Sequence, residues 1–170
     1  EFSYISYNSA KSVADGIRSM VVRGAPAIGC AAAYGVALEA IKIQSLNKED
    51  FLSGMRDACK ILLESRPTAI NLFWAVNRMQ LIIKDNHNID PRELAMILLE
   101  EAHNIKAEDI KINRMMGSFG AELLSDGSNV LTHCNAGALA TAGHGTALGV
   151  IRSAVESGKK ISVIADETRP

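Results

Sequence analysis

The chain of 170 residues carries 18 Lys and Arg against 19 Asp and Glu, a net charge of −1 with four neutral His. Apolar residues make up 48 % and charged residues 22 %, the mix of a globular chain long enough to bury a core, which excludes a disordered one. The near-zero charge argues against a nucleic-acid partner. No run of about eighteen uncharged apolar residues lies outside the Gly- and Ala-rich segments, which argues against a membrane span.

The N-terminus Glu1-Phe2-Ser3-Tyr4 has neither the basic nor the apolar region of a secretory signal. It lacks an initiator Met, and Pro170 follows a strand-like run, so the chain is expected to be a piece of a longer one. Cys30, Cys59 and Cys134 are widely spaced and form no C-x-x-C pair. A disulfide framework and a zinc site are both unexpected, and the cysteines fit a reducing, cytoplasmic setting.

Residues 2–7 alternate and are rich in aromatics, the pattern of a short strand. Ser9 caps a helix that runs to about residue 22, with Val13, Ile17 and Met20 on one face. Arg23-Gly24-Ala25-Pro26 interrupts it, and Pro26 suits the first turn of the next helix. Residues 27–43 are rich in Ala and Gly and nearly uncharged, the mark of a buried helix. Asn47, with Asp50 three residues on, caps a third helix through Leu62 and Leu63. Pro67 ends that stretch, and a fourth helix carries Leu72, Trp74, Val76 and Met79 to about Lys84. Asp90-Pro91-Arg92-Glu93 combines a cap, a first-turn Pro and an acid, and opens a long helix, with room for a bend, to about Leu124.

After the turn Ser125-Asp126-Gly127 the pattern changes. Residues 128–134 read as a buried strand, 146–157 as a helix and 161–165 as a second strand. The expected fold is therefore α/β. A mainly helical domain over residues 1–126 is followed, over residues 127–170, by the first β-α-β unit of a parallel sheet. Two strands do not complete a sheet, so further chain is expected after Pro170.

Three stretches suggest chemistry. Arg23-Gly24-Ala25-Pro26 puts an Arg and a flexible Gly before a helix N-terminus, where free N–H groups and the helix dipole favour phosphate. The bland alternative is a solvated Arg in an inter-helix turn. Ser65-Arg66-Pro67-Thr68 repeats the arrangement more weakly, and two such breaks in one domain suggest convergence on one anion. Thr132-His133-Cys134-Asn135-Ala136-Gly137 places a Cys at the carboxyl end of a strand, where α/β sheets bind ligands. A Cys there is a reactive candidate, against the usual reading of a free Cys as a small core residue. Cys30, in an Ala run, and Cys59, on an amphipathic helix, take the core reading. In a regular strand His133 points away from Cys134, so a Cys–His dyad is not implied.

Gly143-His144-Gly145-Thr146-Ala147-Leu148-Gly149 looks like a dinucleotide fingerprint, but its spacing is G-x-G-x-x-x-G and it lies too far beyond the strand. Asp166-Glu167-Thr168-Arg169-Pro170 puts charge after the second strand, in a solvated loop or beside Cys134 at the neighbouring strand end.

Five motifs, in order over nearly the whole chain, resemble the methylthioribose-1-phosphate isomerase family. They are Val22-Arg23-Gly24-Ala25-Pro26-Ala27-Ile28-Gly29, Ser65-Arg66-Pro67-Thr68-Ala69-Ile70-Asn71-Leu72-Phe73-Trp74, Leu131-Thr132-His133-Cys134-Asn135-Ala136-Gly137-Ala138-Leu139-Ala140-Thr141, Gly145-Thr146-Ala147-Leu148-Gly149-Val150-Ile151-Arg152 and Asp166-Glu167-Thr168-Arg169-Pro170. The wider family includes ribose-1,5-bisphosphate isomerase and regulatory subunits of the translation-initiation exchange factor. The resemblance implies a Rossmann-like C-terminal domain, a homodimer formed through it, and neither metal nor nucleotide cofactor. It implies an aldose-ketose isomerase of methionine salvage acting on a phosphosugar. Cys134 matches the catalytic Cys, and Arg23, Gly24, Ala25 and Arg66 match substrate-binding positions. Asn135, Ala136 and Gly137 match the adjoining loop, assigned to phosphate or substrate. The family's catalytic Asp and further substrate ligands lie beyond these 170 residues, and Asp166 is not that Asp. The chain alone is therefore expected to carry half a site and to be inactive.

Overall fold

The computed structural model describes residues 3–166, which divide into two compact units between Ile105 and Lys106. Helix α5 (Pro91–Glu122) contributes to both.

The first unit is helical. Its elements are α1 (Ala10–Arg18), α2 (Ala25–Ile43), α3 (Lys48–Leu63), α4 (Ile70–Asp85) and the first half of α5. Ser9 caps α1 in a reciprocal box with Ser12, and Asn47 caps α3 by accepting from the Asp50 N–H at 3.0 Å. α2 is the central helix, with Ala32, Ala33, Val36, Ala37 and Ala40 fully enclosed. Its length and composition would suit a membrane span. Here α1, α3 and α4 cover it instead, and its small side chains allow that close approach. Val13 and Ile17 of α1, Phe51, Met55 and Leu62 of α3, and Leu72, Val76 and Met79 of α4 complete the core with Leu94 and Leu98 of α5.

Two expectations need correction here. Residues 3–8 form no strand, and Phe2 lies outside the described residues. Tyr7 instead lays its ring over Gly16, where a Cβ would collide with it, while Tyr4 stays exposed. α1 stops at Arg18 rather than near residue 22. Met20 is left-handed (φ 63°), and the Val22 N–H closes on the Gly16 carbonyl at 3.0 Å, reversing the chain before α2.

In the second unit, β1 (Asn129–Thr132) and β2 (Ser162–Ala165) form a parallel pair, with Asn129 opposite Ser162 and Thr132 opposite Ala165. Between them come a single 3-10 turn (Ala138–Ala140) and α6 (Ala147–Glu156). α6 packs on the second half of α5 at Gly117, where any Cβ would meet the Ser153 hydroxyl and the Gly149 carbonyl. The strands are shorter and more open than the sequence suggests. All of β2 is exposed, because a parallel pair is buried only when neighbouring layers cover both faces. The secondary structure changes character at the 125–128 turn, while compactness divides the chain within α5.

Candidate active site

In the first unit, Arg23, Gly24 and Ala25 stand at the start of α2, and Arg66 lies in the turn before α4. Gly24 is the residue before α2 and has φ 92°, a conformation that favours glycine. Arg23 is exposed and Arg66 half-buried. The two helix starts adjoin, because a Cβ on Gly29 would lie 3.0 Å from the Asn71 carbonyl oxygen. Neither α2 nor α4 has a side-chain cap, in contrast to α1 and α3. Two uncapped N-termini side by side, each preceded by an Arg, present N–H groups and positive charge suited to an anion. In the adjoining Asn71-Leu72-Phe73-Trp74 run, Leu72 enters the core while Trp74 stays half-exposed under the Arg78 guanidinium, 5.5 Å from its ring centre. Arg78 also pairs with Glu101 of α5.

In the second unit, Cys134 follows β1 by two residues. It is exposed and left-handed, with φ 69°. Such a backbone costs a non-glycine residue about 1–3 kcal/mol and persists only where the surroundings impose it. They do so on the C-terminal side. The Ala136 carbonyl accepts from the Thr146 N–H at 2.9 Å, the Leu148 N–H at 3.3 Å and the Thr146 hydroxyl at 3.3 Å. Gly145 (φ 94°) lies so close beneath that a Cβ would come within 2.9 Å of the Gly137 carbonyl carbon. Deeper in the loop, the buried Thr141 hydroxyl oxygen accepts from the Gly143 and Gly145 N–H groups, and the Asp109 carboxylate accepts from the Ala142 N–H at 2.7 Å. The Asn135-Ala136-Gly137 segment is thus held against the start of α6.

The same geometry explains the Gly143-to-Gly149 stretch. His144 is buried, with its Nε2 2.9 Å from the Ser153 hydroxyl, and the Thr146 and Leu148 N–H groups are engaged by Ala136. These residues build the loop's support rather than an open glycine cradle.

One contact was not legible in the sequence. His133 Nδ1 lies 2.8 Å from Asp166 Oδ2, joining the carboxyl ends of β1 and β2. The signal lay in the parallel register: once Thr132 pairs with Ala165, the next residues are side by side. Residues 167–170 of that motif lie outside the described residues. Cys30 and Cys59 are buried, and burial pushes the Cys59 thiol up to about 11, only partly offset by a hydrogen bond with Gln80. Among the described residues no group of three or more His, Cys, Asp or Glu converges as a metal site.

A relative from Albidiferax ferrireducens named methylthioribose-1-phosphate isomerase is 61 % identical, over 99 % of this chain and 48 % of its own length. One of the same name from Thermosipho africanus is 54 % identical over 98 % of this chain and 48 % of its own. The crystal structure of 5-methylthioribose 1-phosphate isomerase from Pyrococcus horikoshii OT3 superposes with a TM-score of 0.89 at 36 % identity, over 97 % of this chain and 54 % of that one. The structure described as translation initiation factor eIF-2B, subunit delta, from A. fulgidus gives 0.88 at 44 % identity, over 99 % of this chain and 49 % of that one. The chain spans about half the length of the curated relatives it matches. Residues 21–170 match the initiation factor 2 subunit family, and with the shared fold this makes the chain a member of that family.

Proposed function

We propose that the protein carrying this chain is an aldose-ketose isomerase that converts 5-methylthioribose 1-phosphate to 5-methylthioribulose 1-phosphate in methionine salvage, as a cytoplasmic homodimer. The observation that carries the reading is Cys134, an exposed thiol in an imposed left-handed backbone at a strand's carboxyl end. The names of relatives at 50–61 % identity support it.

The substrate sets the chemical problem. Its anomeric oxygen is esterified to phosphate, so the ring does not open to a free aldehyde. The ring oxygen must gain a proton while hydrogen moves from C2 to C1. In this reading Arg23, Gly24, Ala25 and Arg66, with the backbone of Asn135, Ala136 and Gly137, hold and orient the phosphosugar. Cys134 acts at the reacting carbons, as a thiolate base or as a stabiliser of a hydride-shift transition state. The acid is a carboxyl outside this stretch, kept protonated near neutrality by an apolar setting.

The test is turnover of methylthioribose-1-phosphate by the full-length protein and its Cys134→Ala variant. The wild type should turn over, and the variant should lose about 10²-fold or more in kcat while keeping its Tm. Solvent deuterium at C1 of the product excludes a purely intramolecular hydride shift. A second reading, a non-catalytic regulatory subunit, draws on the likeness to the A. fulgidus structure. It is preferred if the folded full-length protein turns over neither methylthioribose-1-phosphate nor ribose-1,5-bisphosphate.

A further inference from the structure

The left-handed Cys134 lies between two sets of contacts. The C-terminal anchor is the Ala136 carbonyl with its three donors and the close Gly145. On the N-terminal side the regular ladder ends at Thr132, whose carbonyl accepts from the Asp166 N–H at 3.2 Å. Beyond that bond, the side chains of His133 and Asp166 meet, 2.8 Å apart. A carboxylate is an acceptor, so His133 donates through Nδ1–H, which fixes the tautomer of its neutral form and the orientation of its ring. Residue 133 is the backbone neighbour of the thiol-bearing residue. Any rotation there re-aims Cys134.

We propose that His133 and Asp166 are positioning residues that together hold the end of β1 so that Cys134 presents its thiol in one direction. The role rests on the isomerase reading only for its kinetic consequence; the geometry of the thiol is independent of it. Both side chains are exposed, and an exposed pair adds little to stability. Its effect therefore belongs in rate and reactivity rather than in Tm.

The experiment is a double-mutant cycle on the full-length protein with His133→Ala, Asp166→Ala and the double variant, and with Asp166→Asn as the conservative change. Two quantities are read: kcat and KM for methylthioribose-1-phosphate, and the rate of Cys134 alkylation by iodoacetamide from pH 6 to 9, with Cys134→Ala as the blank. Because the two residues act as one unit, each single Ala variant should lower kcat about tenfold with KM within about twofold. The double variant should be no worse than either single. Asp166→Asn, which keeps an acceptor oxygen, should recover most of the loss. The alkylation rate at Cys134 should change in the single variants and change no further in the double. Losses that multiply in the double variant, or single variants with unchanged alkylation profiles, overturn the proposal. If the wild type turns over nothing, the isomerase reading fails, and the alkylation cycle still decides whether the pair positions Cys134.

Discussion

Cys59 and Cys134 are the same side chain in opposite settings. Cys134 sits beyond a strand end in water, whereas Cys59 lies inside the helical core with its thiol pushed up to about 11 by burial. A raised acid pKa has a definite sign in the pH dependence of stability. Between the ordinary thiol value of 9 and about 11, the unfolded chain loses the proton and the folded one keeps it. The native state is therefore destabilised as pH rises through that window, by on the order of 2 kcal/mol at its upper end. Urea unfolding at pH 8 and pH 10.5 should show the decline, and Cys59→Ala should flatten it. An equal slope in the variant would assign the alkaline loss to other groups. The core character of Cys59 was legible from its amphipathic helix. The exposure of Cys134 was not, because a residue at the end of an apolar run is buried or exposed according to where the strand stops pairing.

At the scale of elements, the helices followed from periodicity and caps. Ser9, Asn47 and Asp90-Pro91 each mark a helix start, because the local hydrogen bonds they make are encoded within four residues. The strands followed less well. Residues 3–8 alternate as a strand does, but a strand exists only through a partner, and here Tyr7 packs on α1 while Tyr4 and Ile5 stay exposed. The loop after β1 depends on one glycine. Gly145→Ala places a Cβ against Gly137 and strains a positive φ. It should destabilise the protein by about 1–3 kcal/mol and disturb the backbone next to Cys134. The expected readout is a lower Tm together with altered iodoacetamide reactivity at Cys134. A full-stability variant with native reactivity would show that the loop adapts.

At the scale of the whole chain, α5 takes part in both units, and its second half shows two faces. Gly117 and Asn113 lie inward, and Gly117 packs on α6, while Ile112, Met115, Met116 and Phe119 are exposed at helical spacing, with Leu123 exposed just beyond the helix end. With the open strand residues Leu131 and Ile164, these are apolar surfaces of the kind that buries against further protein. The 170-residue chain should therefore bind anilinonaphthalene sulfonate more strongly than the full-length protein does. Phe119→Lys with Leu123→Lys should reduce that fluorescence several-fold without loss of helical circular dichroism. Equal dye binding by the two lengths would mean that this surface stays open in the full-length protein.

The sequence by itself determined the helices, the buried character of α2, the α/β order and the family, because periodicity, capping and motif spacing are properties of neighbouring residues. It also marked Arg23, Arg66 and Cys134, whose residue types before helices or at a strand end carry their own chemistry. Only the tertiary structure decided that α2 and α4 begin side by side without side-chain caps, that Cys134 is left-handed, and that His133 meets Asp166. These features rest on contacts between residues about ten to forty positions apart. Their geometry follows from packing and strand register, which no local pattern contains.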